Sequence, residues 1–203
     1  MHVPTNFSGA AIVDLDRRAV LASTQPVRRI TADQLTLPTP CTDWNLRDLL
    51  AHMTVQHRGF TAAVRGQGGD PANWHLPAVH DDPVIDHLAA ADEAIVAFAA
   101  VDPNTQVEIA EFGPDAQFPA SQAMTFHFLD YLVHGWDVAQ ALGQPFTPEP
   151  DLVDAGWQIA EMIPADDASR PTGGPFGPAV AASADASSFE RLLAHVGRTP
   201  VTT

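Results

Sequence analysis

The sequence is poor in cysteine, basic residues and long apolar runs, and each shortage excludes a class of protein. Cys41 is the single cysteine among 203 residues, which excludes an intramolecular disulfide and a cysteine-based zinc cluster. The net charge of −15, from 10 Lys and Arg against 25 Asp and Glu, argues against nucleic acid or an anionic membrane as a partner. Any metal ligands must therefore be His and carboxylate side chains.

Signals for export or membrane insertion are also lacking. The N-terminal stretch MHVPTNFSGAAIVDLDRR has no basic region followed by an apolar core, and no run reaches about 18 uninterrupted apolar residues. We therefore expect a soluble, cytoplasmic protein. The length and the 45% hydrophobic content fit a single domain over residues 1–203.

Apolar residues recur at helical spacing in most of the chain. This pattern predicts four long helices, over residues 10–33, 46–65, 83–101 and 119–142, and two shorter ones, over residues 149–163 and 187–197. Residues 102–119 are predicted to form a short hairpin or an extended crossover. The Pro-, Gly- and Ser-rich residues from 165 to 186 should wrap the bundle as coil. An all-α helical bundle is the predicted architecture.

Several residues predict where helices begin or break. Pro26 should kink or break the first helix about one turn earlier. The pairs Asn45 with Asp48 and Ser187 with Glu190 have the spacing of capping boxes. Asp82 before Pro83 is typical of an N-cap followed by a first-turn proline.

The fourth helix carries ionisable residues inside an apolar pattern. Asp130 and His134 are four residues apart and share a face, and His127 and Asp137 fall within about 60° of Asp130 on the same face. Burying these groups needs compensation, and a divalent cation is the simplest partner. On the second helix we expect His52 to point inward, whereas His57, about 140° away, should point outward.

In a bundle, His52 can therefore meet Asp130 and His134 around one ion. Two imidazoles and one carboxylate suit Zn²⁺, Ni²⁺, Fe²⁺ or Mn²⁺ and leave a coordination position open, as in catalytic sites. His127 is a candidate fourth ligand or nearby base, and Asp137 a candidate for orienting a ligating imidazole.

Each of these features also has a simpler explanation. A lone inward His such as His52 is more often a hydrogen-bonded core residue, and Asp130 with His134 could be a charge pair on a solvated face. Cys41 is either a reactive thiol or, more commonly, a small buried apolar side chain. The apolar residues that flank Asp130 and His134 favour burial of the pair.

Three blocks of the sequence resemble the actinobacterial branch of the DinB-like bundles, which includes the mycothiol-dependent maleylpyruvate isomerase N-terminal domain. They are PTPCTDWNLRDLLAHM, YLVHGWDVAQALG and FERLLAHVGRTP. The resemblance implies a DinB-like four-helix bundle with a long crossover, followed here by a C-terminal coil and short helices. It also implies a metal triad that matches His52, Asp130 and His134.

The resemblance implies a metal-dependent transferase or isomerase that uses a low-molecular-weight thiol such as mycothiol, with a small-molecule thiol or electrophile as partner. The isomerase has Glu where this chain has Asp130, and the contacts made by its larger C-terminal domain do not transfer. Two alternatives are open: a non-catalytic metal- or ligand-binding bundle that acts through a partner, and an iron oxygenase with two His and one carboxylate. A homodimer is also left open.

Overall fold

The structure, a computed structural model, describes residues 7, 9–75, 82–164, 170 and 176–199. It contains two compact units, residues 2–146 and residues 147–203. The helices are α1 (Ala10–Val27), α2 (Leu46–Val64), α3 (Pro83–Ala100), α4 (Ala120–Ala141), α5 (Pro150–Ala160) and α6 (Ser188–His195). Apart from one small hairpin and three short 3₁₀ turns, the regular structure of the described residues is helical, which confirms the all-α prediction.

The first unit is a four-helix bundle. Helix α1 packs mainly against α4 and α3, and α2 packs mainly against α3 and α4. Helices α1 and α2 therefore lie diagonally across the bundle, as do α3 and α4. Strands β1 (Gln106–Glu108) and β2 (Gln117–Pro119) interrupt the long crossover from α3 to α4 and pair antiparallel, as predicted.

The predicted helix starts are confirmed by their hydrogen bonds. The Asn45 side chain accepts from the Asp48 backbone N–H, and the Asp48 carboxylate accepts from the Asn45 N–H, each at 3.1 Å. The Asp82 carboxylate accepts from the backbone N–H groups of Val84 and Ile85 at the start of α3. These caps satisfy donors that the first helical turn leaves without partners.

Two predicted helix ends are wrong. Helix α1 is continuous from Ala10 to Val27 and stops one residue after Pro26, instead of breaking before it and resuming to residue 33. So close to the helix end, the proline removes only one backbone hydrogen bond. Helix α5 ends at Ala160 rather than at residue 163, about one turn before Pro164. Residues 161–163 form turns, and the proline ring disfavours helical backbone at Ile163, the residue before it.

The orientation predicted for His57 is also wrong. Its side chain is fully buried, whereas His52 is only half-buried. Helix α2 packs between α3 and α4, so most of its circumference is covered and a residue far round from the first apolar stripe still lies in the core. Helix α4 is buried over most of its surface in the same way.

The close approach of α1 to α4 depends on a glycine. A Cβ atom on Gly135 would lie 2.7 Å from the Phe146 ring and 3.0 Å from the Ser23 Cα on α1. Both distances are shorter than a normal van der Waals contact, so a side chain here would force a shift. Gly135 directly follows His134, so the α4 backbone next to this histidine lies close to α1.

The second unit consists of α5, α6 and a connecting segment. The predicted capping box at Ser187 and Glu190 is confirmed. The buried Arg170 guanidinium donates to the backbone carbonyls of Pro164, Gly177 and His195. The predicted coil lies partly outside the described residues, and its described stretch 176–186 has no helix or strand. That residues 165–203 wrap a single domain stays a prediction. A search of the described helices finds none with the length and apolarity of a membrane span.

Candidate metal site

Helices α2 and α4 bring the three predicted ligands together. His52, Asp130 and His134 each offer one ligand atom, and these atoms lie within 4.8 Å of one another. The two helices run antiparallel, since His52 lies beside His134 while His57 lies beside His127. The side chains of two distant segments thus converge on one volume, as the helical spacing predicted.

The His134 imidazole lies between two carboxylates. Its Nε2 is 3.3 Å from Asp130 Oδ1, and its Nδ1 is 2.9 Å from Asp137 Oδ2. Asp137 is fully buried, and its position matches the predicted role of orienting the imidazole. The His52 ring meets the His134 ring edge-on at 5.2 Å between centroids, and the centroid of the Trp44 ring lies 4.8 Å from that of His52.

The electrostatics of the site favour positive charge. Burial opposes a charged imidazole at His134, but the charge of Asp130 and the hydrogen bonds to Asp130 and Asp137 outweigh it and hold the pKa of His134 well above its ordinary value. Burial also opposes ionisation of Asp130, yet His134 and His52 lower the pKa of Asp130 below its ordinary value. A cation held by His134 Nε2 and Asp130 would take the place of the proton between these two groups.

The donor set fits a divalent metal. Asp130 Oδ2 is buried and lacks a hydrogen-bond partner within the described part of the chain, so one carboxylate oxygen of the group is left uncompensated. With Nδ1–H of His134 donating to Asp137, the lone pair of Nε2 is left for the metal. Asp130 and His52 are only partly buried, and the Asp130 side chain is 20% exposed.

Cys41 lies next to Asp137 and His134. Its thiol donates to Asp137 Oδ2 at 3.3 Å, and Sγ is 4.0 Å from His134 Nδ1. Cys41, His134 and Asp137 also offer ligand atoms within 4.8 Å of one another. However, Asp137 and Cys41 both lie near Nδ1 of His134, away from the Nε2 that faces Asp130. We therefore assign the thiol to the hydrogen-bond chain that fixes the imidazole.

His127 belongs to a different cluster. Its Nδ1 is 2.6 Å from Asp16 Oδ1 on α1, and its Nε2 is 3.0 Å from His57 Nδ1 on α2. Both nitrogens are thus engaged away from the three ligands, and the structure does not bring His127 into the metal group. His57 stacks on Tyr131 at 3.8 Å, and its ring centroid lies 5.1 Å from that of His87 on α3.

Sequence reasoning missed this second cluster. All four bundle helices contribute to it, and its side chains are at most 1% exposed. Burial lowers the pKa of His57 well below its ordinary value and that of His87 to about 3, and it raises the pKa of Asp16. Asp16 and His127 are 111 positions apart, so no local pattern links them. The one available signal was that several helices carry a polar residue within their apolar pattern.

Comparisons with known proteins place the chain in a family. The model of the mycothiol maleylpyruvate isomerase N-terminal domain matches residues 17–139, a range that contains all three predicted ligands. Uncharacterized proteins from two strains of Mycobacterium tuberculosis are each 30% identical to the chain over 183 residues, which cover 90% of this chain and 95% of the relative. No solved structure matches the chain significantly. The chain belongs to the family of the mycothiol maleylpyruvate isomerase N-terminal domain.

Proposed function

We propose that this protein is a divalent-metal-dependent transferase or isomerase that uses a low-molecular-weight thiol such as mycothiol. The observation that carries the proposal is the convergence of His52, Asp130 and His134, with the buried oxygen Asp130 Oδ2 left without a partner among the described residues. Membership of a family defined by a mycothiol-dependent isomerase domain supports the choice of thiol.

The three ligands have separate tasks. Asp130 and His134 come from one face of α4 and set the spacing of two donors, while His52 supplies the third from α2. Asp137 orients the His134 imidazole through a hydrogen bond, and the Trp44 ring packs against the His52 imidazole. Zn²⁺ is the metal that this set suits best, because three protein ligands from His and carboxylate are typical of catalytic zinc.

A bound divalent cation lowers the pKa of a coordinating thiol enough to ionise it near neutral pH. The protein's own contribution is to hold three donors in place, to neutralise part of the cation's charge with Asp130, and to leave the partly exposed side of the cluster for the thiol. Because His127 is engaged with Asp16 and His57, it does not supply a fourth ligand that would close the site. This supports a catalytic over a purely structural site.

The proposal is tested by metal analysis of protein purified without a His tag and reconstituted with Zn²⁺. We expect about one Zn²⁺ per chain, because the two groups of potential ligands among the described residues share His134. His52→Ala and His134→Ala should each lose the bound metal. The matched control His75→Ala should keep it, because His75 is exposed and its Nδ1–H donates to the Pro71 carbonyl oxygen instead. Wild-type protein that binds no metal after reconstitution would reject the site.

The reaction is tested on the same preparations. Zn²⁺-loaded protein should accelerate the conjugation of mycothiol to an electrophile such as 1-chloro-2,4-dinitrobenzene, and His134→Ala should not. Protein that binds about one Zn²⁺ per chain but neither binds nor activates a thiol would support the alternative of a non-catalytic metal-binding bundle.

A further inference from the structure

A turn of the crossover brings another carboxylate to the edge of the metal site. This turn is the 3₁₀ segment Ala110–Phe112, between β1 and β2. The Glu111 carboxylate accepts a hydrogen bond of 2.7 Å from Gln56 Nε2 on α2. The Phe112 ring lies 5.2 Å from the Phe126 ring on α4. The turn therefore contacts both helices that carry the metal ligands.

These contacts show where Glu111 lies along the bundle axis relative to the three ligands. Gln56 follows His52 by four residues on α2, and Phe126 precedes Asp130 by four residues on α4. Because the two helices are antiparallel, both steps lead in the same direction along the bundle, by about 6 Å. Glu111 thus lies about one helical turn from the ligand cluster, over the groove between α2 and α4.

The surroundings of Glu111 suit a group that exchanges protons. Burial of its carboxyl raises the pKa of Glu111, the hydrogen bond from Gln56 opposes this, and the nearby charge of Asp130 adds to the rise. Gln56 of α2 and Asp130 of α4 are the side chains that act on this carboxyl. Gln56 is buried and donates to one carboxylate oxygen of Glu111. Glu111 is exposed when its whole residue is considered, and Phe112 is 50% exposed, so the turn also contacts solvent.

We infer that Glu111 is the general base of the site: its carboxylate, held by Gln56 beside the Asp130 end of the cluster, takes the proton of the incoming thiol. This inference rests on the proposed function. In the step, the thiol S–H bond breaks, its proton goes to Glu111, and the electron pair stays on sulfur. Sulfur then forms a bond to the electrophilic carbon, whose leaving group departs with its bonding pair. Glu111 returns the proton to solvent, or to the product when the electrophile is an alkene.

The test compares Zn²⁺-loaded wild type with Glu111→Gln, Glu111→Asp and the matched control Glu108→Gln. Glu108 lies on the same hairpin, but its carboxylate interacts with Gln117. Zn²⁺ affinity is measured first by competition with a chelator. Calorimetric titration of N-acetylcysteine in two buffers of different ionisation enthalpy then counts the protons released on thiol binding, and conjugation to 1-chloro-2,4-dinitrobenzene gives the rate across pH.

We expect Glu111→Gln to keep its Zn²⁺ affinity and to slow conjugation by about 10²-fold. When thiol binding is titrated over the pH range in which Glu111 itself takes up a proton, the variant should release more protons to the buffer than wild type. Its rate should also lose the rise with pH that the carboxylate gives to wild type. Glu111→Asp should restore part of the rate, because it keeps the carboxylate, and Glu108→Gln should match wild type in every measurement.

Two results would overturn the inference while the proposed function survives. One is a Glu111→Gln protein with the same proton release and rate as wild type, and the other is loss of Zn²⁺ binding in that variant, which would make Glu111 a ligand or a structural residue. Wild-type protein that binds Zn²⁺ but no thiol would overturn the inference together with the proposed function.

Discussion

His87 makes the stability of the bundle depend on pH in a way that can be calculated. The imidazole is fully buried, its Nδ1 is 3.4 Å from the Thr54 hydroxyl oxygen, and its Nε2 lacks a partner among the described residues. Burial lowers the pKa of His87 to about 3, so the folded protein keeps this imidazole neutral throughout the range in which an unfolded chain protonates it at about 6.5. Acid therefore favours the unfolded state.

The sign and the size follow from linkage. Between about pH 3 and pH 6.5 the unfolded chain binds one more proton than the folded one at His87, so the free energy of unfolding falls as the pH falls. From pH 7 to pH 5 the loss is about 2 kcal/mol, because protonation of a group with a pKa of about 6.5 contributes roughly 1.4 kcal/mol per pH unit once the pH is below that value. His57, also buried with its pKa lowered, adds a loss of the same sign.

The measurement is urea denaturation at pH 7 and pH 5 in the presence of a chelator, on wild type and on His87→Leu. The variant should lose about 2 kcal/mol less than wild type over this interval, since it has no imidazole to protonate at this position. Leu88→Ala, a nearby change on α3 that removes no titrating group, should lower stability at both pH values without altering their difference. If His87→Leu and wild type lost the same free energy, the imidazole would not be held neutral in the core.

Other predictions concern the site and its support. Asp137→Asn should weaken Zn²⁺ binding by about 10- to 100-fold, because a neutral amide replaces the carboxylate that orients His134. Unchanged affinity in chelator competition would show that Asp137 does not support the site. Zn²⁺ affinity of wild type should fall as the pH falls from 8 to 6, since the raised pKa of His134 means that the cation must displace a proton shared with Asp130; a flat profile would contradict this. Gly135→Ala should cost about 1–3 kcal/mol in denaturation experiments, because its Cβ would meet the Phe146 ring at 2.7 Å; wild-type stability would show that the ring moves aside freely.

Local rules predicted most of the helices and the shared face of Asp130 and His134 on α4. Capping boxes, first-turn prolines and the 3.6-residue period act within a few residues, so they are readable from the sequence, and Asp130 and His134 had to share a face wherever α4 packed. The helix ends near Pro26 and Pro164 differ from the predicted ones, because a proline limits a helix without fixing which nearby residue ends it.

The sequence by itself therefore determined an all-α chain with His and carboxylate donors at metal-ligand spacing. Only the tertiary structure decided which partners they meet. It placed His57 in the core because α2 is covered by two neighbouring helices, it engaged His127 with Asp16 of α1, and it carried Glu111 over the groove beside the ligands. Such contacts join residues far apart in the chain, and their geometry depends on how whole helices pack rather than on any local pattern.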